Sequence, residues 1–315
     1  MLVEIAASKS QTEKMSHGPS RIPSKGRCIY CRATGIELTD EHFLPLSLGG
    51  QHVIEKASCR GCANITKKFE QDVARELWGD ARISYDAPSR RKKQRPTHIK
   101  LRDPETPGRT VTIPYSEYPA ALIFYKMHKA GMLLGAPVNL DISSAWQFSV
   151  VHDDEKANGF ERKFGIKLTV KFRHVPVSFG RLLAKIGYGQ VLWALGLEDF
   201  RPFCVPYIIG AKDNVSYIVG SSFDIPTPEP GVGYNLRTVV VGDTRRILLI
   251  ALVRLYANLH SPIYHVVVGD VLGEQNVESV IAKLQAVEAD LTVVHSLEAP
   301  TPADRHWLPN FWPLP

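Results

Sequence analysis

Apolar side chains recur with a helical period in three segments of the chain. In residues 62–77 they step by three or four positions, while Lys67 and Lys68 fall on the opposite side. This pattern predicts an amphipathic helix with one buried stripe. Similar spacing at about residues 116–134 and 177–195 predicts two further helices.

Strands are predicted mainly in the second half of the chain. Short runs of β-branched and aromatic residues, separated by Gly, Pro, Asn and Asp, are typical of strands. These runs lie near residues 166–173, 205–210, 215–220, 236–241, 246–254 and 263–269. Together with the helices they predict the α+β class.

The chain has 315 residues, which is typical of two domains. Its longest apolar run, residues 247–253, is far shorter than the roughly 20 residues that span a bilayer. The beginning of the sequence carries Glu4 and lacks the apolar stretch of a signal peptide. We therefore expect a soluble, cytoplasmic protein without a membrane partner.

Basic residues are concentrated in the first third of the chain. Residues 1–110 hold 20 Lys and Arg against 13 Asp and Glu, although the whole chain carries a net charge of only +6. This asymmetry favours a polyanionic partner such as nucleic acid. Composition predicts a flexible basic arm at 1–26, a compact domain at 27–84 that holds four of the five cysteines, a basic Pro/Gly linker at 85–110 and an α+β domain of unknown function at 111–315.

Four of the five cysteines form two Cys-x-x-Cys pairs, Cys28 with Cys31 and Cys59 with Cys62. In a chain without secretory features this pattern indicates metal binding rather than disulfides. Zinc accepts four thiolates in a tetrahedron, so the four cysteines predict one structural zinc site. Cys204 lies in an apolar segment and is expected to be a buried, inert thiol.

Between the two cysteine pairs lie the segments Asp40-Glu41-His42-Phe43-Leu44-Pro45 and Leu48-Gly49-Gly50. Through these segments and the cysteine pairs around them, the region from Cys28 to about Trp78 resembles the HNH endonucleases. The resemblance is to the subgroup whose ββα-metal fold is clamped by four cysteines. It covers about a sixth of the chain.

The resemblance implies a metal-dependent endonuclease that hydrolyses DNA phosphodiester bonds. His42 matches the general base, a role that suits a side chain whose pKa lies near neutral pH. Glu41 matches the acidic residue that ligates a catalytic Mg²⁺ or Mn²⁺ ion. Because neighbouring side chains on a strand point to opposite faces, a bulge or turn is needed for both to reach one phosphate.

Two positions depart from the family pattern. Ala63 stands where a His or Asn ligand usually follows the last cysteine, and residues 51–57 contain no Asn to orient the base. Helix geometry places Glu70 at nearly the same azimuth as Ala63, so Glu70 is preferred to Asn64 as a substitute ligand. His52 is either a substitute orienting group or a solvated loop residue.

Two functions therefore remain open at the level of sequence. One is the HNH-type endonuclease, and the alternative is a catalytically degenerate, zinc-stabilised protein that only binds nucleic acid. Tyr30, Arg32, Arg60 and Lys68 are either phosphate contacts or part of a general basic surface. Residues 111–315 carry no recognisable site, and the sequence does not indicate an oligomeric state.

Overall fold

The computed structural model describes residues 20–85, 92–222, 225–287 and 292–294. The N-terminal part contains three strands and two helices. Its elements are β1 (Ser20–Ile22), β2 (Leu38–His42), β3 (His52–Cys59), α1 (Arg60–Asp72) and α2 (Gly79–Ser84). A π-helical turn at Val73–Leu77 continues α1. The amphipathic helix predicted over residues 62–77 is confirmed as α1 and its π-helical continuation.

Strand β3 is the centre of a three-stranded sheet, paired antiparallel with β2 and parallel with β1. The β2–β3 register shifts between Thr39 and Glu41, where the additional residues lie on β3. Lys56 adopts a left-handed conformation there, with φ of 43°, and its N–H donates to Oδ1 of Asp40 at 3.1 Å. This irregularity lies directly before the Glu41-His42 pair.

The larger part begins with two two-stranded antiparallel sheets and two short helices. These are β4 (His98–Arg102) with β5 (Thr110–Pro114), β6 (Leu122–Lys126) with β7 (Gln147–Val151), α3 (Asp154–Ala157) and α4 (Phe160–Phe164). A long helix, α5, then leads into the main sheet. The remaining elements are α5 (Pro176–Ala194), β8 (Arg201–Pro202), α6 (Val205–Ile208), β9 (Val219–Ser221), β10 (Tyr234–Gly242), β11 (Arg246–Leu255), β12 (Tyr264–Leu272), α7 (Glu274–Val287) and β13 (Thr292–Val294).

The main sheet has the order β13-β10-β11-β12-β8, and β9 also pairs with β12. Strands β10, β11 and β12 are consecutive antiparallel neighbours, whereas β13 joins β10 in parallel. Helix α7 packs its buried residues Val277, Val280 and Leu284 towards this sheet. The α+β class is thereby confirmed for both parts of the chain.

Helix α5 joins the two parts because two of its glycines allow close approach on different sides. A Cβ atom at Gly187 would lie 3.0 Å from the Cβ atoms of Ala251 and Val266 on the main sheet. A Cβ atom at Gly189 would lie 2.1 Å from the Cβ atom of Phe43. The buried apolar residues of both parts consequently form one hydrophobic core.

The structure corrects several predicted elements. The helix expected at 116–134 is wrong, because its centre is β6; all four residues 122–125 are buried, and such an apolar run fits a buried strand as well as a helix. The strand expected at 205–210 is the short helix α6, which has Pro206 in its first turn. Residues 166–173 include no strand.

Other predicted elements are confirmed. The regions predicted as an arm and as a linker contain strands. The helix at 177–195 and the strands at 236–241, 246–254 and 263–269 are present as α5, β10, β11 and β12. In the region predicted as a flexible arm, β1 pairs with β3, while residues 1–19 lie outside the described residues. In the region predicted as a linker, β4 and β5 form a hairpin. Across the described ranges, no helix combines the length and apolarity that a membrane span requires.

Candidate functional site

The four paired cysteines meet at the junction of β3 and α1. Their sulfur atoms all lie within 4.8 Å of one another, and Sγ of Cys31 is 3.7 Å from Sγ of Cys59. A zinc ion with bonds of about 2.3 Å to sulfur holds its thiolates roughly 3.8 Å apart. Three of the cysteines are buried and Cys31 is exposed. The arrangement fits a structural zinc site that closes the ββα unit.

Backbone groups at the start of α1 donate hydrogen bonds to the cysteine sulfurs. Cys59 is the N-cap residue, and its Sγ accepts a hydrogen bond from the N–H of Cys62 at 3.5 Å. The N–H of Cys59 in turn donates to Sγ of Cys28 at 3.4 Å. Burial raises the pKa of the Cys59 thiol, but the hydrogen bonds from Cys62 and the neighbouring cysteines outweigh it and lower the pKa to about 7. Thiolate is the form that binds metal.

The predicted acidic residues meet around a lysine from the larger part of the chain. The Nζ atom of Lys185 on α5 lies 2.6 Å from Oε1 of Glu41. It also donates to the backbone carbonyl of His42 at 2.7 Å and to Oε1 of Glu70. Three oxygen atoms from β2 and α1 therefore converge on one ammonium group.

This charge cluster is strongly desolvated. The side chains of Lys185 and Glu41 are 2% and 6% exposed, and that of Glu70 is 24% exposed. Burial raises the pKa of Glu41, opposed by the attraction of Lys185. Burial lowers the pKa of Lys185, but the two carboxylates outweigh it and leave the pKa raised above 10.5. The ammonium form of Lys185 is consequently stable at neutral pH, and the cluster depends on it.

The predicted site residues are only partly brought together. Glu41 and Glu70 share Lys185, whereas Asn64 is exposed on α1 and Ala63 is half-buried. Glu70 lies near the end of α1, about two turns beyond Ala63. The imidazole of His42 is half-buried at the end of β2, and the carbonyl of the same residue contacts Lys185.

His52 lies in β3 rather than in a loop, which corrects the loop assignment. Its ring is surrounded by aromatic side chains from both parts of the chain, with centroid distances of 4.8 Å to Trp193 and 5.5 Å to Phe43. The hydroxyl of Tyr234 is 3.3 Å from its Nδ1 atom. Burial lowers the pKa of His52 below 6.5. His52 is thus a packing residue between the two parts.

Two of the four candidate phosphate contacts are structural instead. Tyr30 is 3% exposed, and Arg32 donates to the carbonyl of Leu197 at 3.0 Å. These residues fasten the first cysteine pair to the larger part of the chain. Arg60 and Lys68 are exposed on α1, where a nucleic-acid backbone is able to reach them.

Lys185 is the site residue that sequence reasoning missed. A signal was present, because Lys185 is the only charged residue between Arg181 and Glu198, within an apolar helix. A charged side chain is almost never fully buried without a partner. The pattern therefore indicates a buried ion pair, although only the tertiary structure identifies Glu41 and Glu70 as its partners.

The comparison with curated proteins and the comparison with solved structures each gave no match. A family model described as HNH endonuclease matches residues 28–77, from the first cysteine pair to the end of the π-helical turn. The match contains the whole cysteine cluster, and it indicates a nuclease-like or nucleic-acid-related function. Residues 28–77 therefore match the HNH endonuclease family model, and this segment contains four cysteines whose arrangement fits a metal site.

Proposed function

We propose that this protein is an HNH-type endonuclease that hydrolyses phosphodiester bonds, with DNA as its substrate. The observation that supports this most directly is the position of Glu41-His42. The pair ends β2 of a cysteine-clamped ββα unit, and Glu70 of α1 lies beside it at Lys185. An acidic residue and a histidine at one strand end provide the groups for phosphodiester hydrolysis.

His42 is the general base in this proposal. Its imidazole takes a proton from a water molecule while the water oxygen bonds to phosphorus. The ester bond to the leaving oxygen then breaks, and that oxygen takes up a proton. Imidazole suits this task because its ordinary pKa lies near neutral pH. His42 is half-buried at the end of β2, and the strand holds its backbone in place.

The zinc ion has a structural role in the proposal. Cys28 and Cys31 come from the turn before β2, and Cys59 and Cys62 from the start of α1. Zinc bound by all four would join the strands to the helix and leave no coordination position open for substrate. The chemistry is assigned to His42 and its neighbours.

With Lys185 in place, Glu41 and Glu70 leave no position between them for the Mg²⁺ or Mn²⁺ ion that the resemblance implies. A bound divalent cation would stabilise the negative charge on the reacting phosphate. In the structure, however, the two carboxylates accept hydrogen bonds from Lys185, which occupies the position between them. No reaction step is therefore assigned to a cation at these residues.

The nucleic-acid partner is supported by charge. The exposed residues on α1 include Arg60, Lys67 and Lys68, and the first third of the chain holds the basic excess. Basic side chains that neutralise backbone phosphates supply most of the sequence-independent affinity of nucleic-acid binders. DNA is proposed because of the resemblance to endonucleases that cut it.

One observation favours the second candidate, a protein that binds nucleic acid without cutting it. Lys185 neutralises Glu41, the residue that the family pattern assigns to the catalytic cation. Ala63 also replaces a usual ligand. A degenerate nuclease would keep the zinc unit and the basic helix surface while losing the need for a cation.

A plasmid-cleavage assay separates the two candidates. We expect the wild-type protein to convert supercoiled DNA to nicked or linear DNA, with Mg²⁺, Mn²⁺ and a chelator as parallel conditions. His42→Ala should abolish conversion, and His98→Ala, an exposed position on β4, should retain it. Retained DNA binding without any conversion by the zinc-loaded wild-type protein would instead support the binding protein.

A further inference from the structure

We propose that the ammonium group of Lys185 is a built-in cation that competes with a divalent cation for Glu41, Glu70 and the His42 carbonyl. This inference rests on the proposed function, because it treats these residues as the acidic part of the active site. It assigns α5 a role in controlling that site. A divalent cation can then bind these oxygens only if the ammonium group of Lys185 moves away from them.

The donor set around Lys185 is one that suits a hard cation. It consists of two carboxylate oxygens and one backbone carbonyl, all directed at a single point. Oxygen ligands of this kind are the usual ligands of Mg²⁺ and related ions. Two carboxylates with one ammonium also leave a net charge of −1, whereas a divalent ion would neutralise them.

The two cations cannot occupy the site together. The Nζ atom of Lys185 is 2.6 Å from Oε1 of Glu41 and 2.7 Å from the carbonyl oxygen of His42. A Mg²⁺ ion bound to the same oxygens at about 2.1 Å would overlap this nitrogen. The Lys185 side chain is only 2% exposed, which leaves little space for a divalent ion to bind beside it.

Neighbouring contacts hold Lys185 at the site. The hydroxyl of Tyr188 donates to the carbonyl of Ile29 at 2.8 Å, and Gly189 lies against Phe43. The same helix packs on the main sheet through Gly187. An intramolecular cation placed in this way competes at high effective concentration. A change that moves α5 should therefore raise the affinity for a divalent cation. By linkage, binding of the divalent cation should favour the moved position of α5 by the same factor.

Lys185→Met tests the competition, because it keeps most of the length of the unbranched side chain and removes its charge. Binding of Mn²⁺ to the zinc-loaded full chain can be followed by electron paramagnetic resonance. We expect Lys185→Met to bind one additional Mn²⁺ per chain, about 10- to 100-fold more tightly than the wild type. Lys100→Met, at an exposed position on β4, serves as the matched control and should behave as wild type.

Two further variants locate the new ion. The double variant Lys185→Met/Glu41→Gln should lose the additional Mn²⁺. Equal Mn²⁺ affinity in the wild type and Lys185→Met, or a gain that survives Glu41→Gln, would overturn the inference. If Lys185→Met does not fold, the comparison is made between the wild type and Glu41→Gln alone. Equal weak binding is then expected, and tight wild-type binding that disappears in Glu41→Gln would refute the competition.

Binding and cleavage report on different proposals. A Mn²⁺ site gained in Lys185→Met, in a protein that never cleaves nucleic acid, supports the competition and contradicts the nuclease. Cleavage by a wild-type protein that binds Mn²⁺ tightly through Glu41 supports the nuclease and contradicts the competition.

Discussion

The Nζ atom of Lys185 lies 2.6 Å from Oε1 of Glu41, and both side chains are almost completely buried. This ion pair joins α5 of the larger part to β2 of the HNH-matching segment. A buried charge that loses its partner is far more costly than an exposed one. Strand β2 and the larger part of the chain are therefore energetically coupled.

Removing the lysine should destabilise the whole protein. In Lys185→Ala the carboxylates of Glu41 and Glu70 lose their shared cation, so the free energy of unfolding should fall by about 3–5 kcal/mol at neutral pH. Urea denaturation followed by circular dichroism measures the change. Adding Glu41→Gln and Glu70→Gln to this variant should recover part of the loss, and a loss below about 1 kcal/mol would show that the pair contributes little.

His52 should make stability depend on pH. Burial lowers its pKa in the folded state below 6.5, so the folded protein favours the neutral ring. This contribution is fully present above pH 6.5 and is lost as the pH falls through the folded-state pKa. The free energy of unfolding, measured in urea between about pH 5.5 and 7.5 (one unit either side of the ordinary value), should fall towards acid. His52→Phe should reduce this slope, and an unchanged slope would contradict the assignment.

The close contact at Gly189 should be intolerant of a side chain. A Cβ atom there would lie 2.1 Å from the Cβ atom of Phe43, so Gly189→Ala must push α5 away from the strand end. We expect a loss of about 1–3 kcal/mol in the free energy of unfolding. Gly79→Ala is the control, because its Cβ atom would have no neighbour within 4 Å. Equal stability of the two variants would show that the contact relaxes without cost.

The cysteine cluster should hold one zinc ion per chain. Elemental analysis of the purified protein should find this ion, and a strong chelator should lower the midpoint of thermal unfolding because the ion stabilises only the folded state. Cys62→Ser should lose the zinc. Cys204→Ser, which alters a buried cysteine outside the cluster, should keep it. Zinc that persists in Cys62→Ser would place the metal elsewhere.

Basic residues on α1 should strengthen nucleic-acid binding. Replacing Arg60 and Lys68 by Ala should weaken DNA binding and reduce the slope of log affinity against log salt by about 1 for each phosphate that is no longer neutralised. Fluorescence anisotropy at several salt concentrations measures both quantities. Lys212→Ala, at an exposed position beyond α6, should bind like the wild type. Unchanged slopes in the α1 variants would place the nucleic acid on another surface.

The periodicity of apolar residues predicted part of the fold, and it failed where a segment is buried on both faces. The stripe from Cys62 to Leu77 predicted α1 because one face of it is buried and the other solvated. The run at Leu122–Lys126 was wrongly assigned to a helix because both of its faces are buried, so its pattern contains no period. Lys25 illustrates a further limit, since it donates to the carbonyl of Leu195, a contact that no local pattern indicates.

The sequence by itself determined the metal cluster and the HNH-type segment, because cysteine spacing and the Glu41-His42 segment are local properties of the chain. Helix geometry also indicated that Glu70 lies on the same face of the helix as Ala63. Only the tertiary structure decided the electrostatic state of the site. The carbonyl of His42 and the ammonium of Lys185 are 143 positions apart in the sequence and meet at 2.7 Å. Their contact depends on how α5 packs against both the sheet and the strand end, and packing between distant segments leaves no periodic signal.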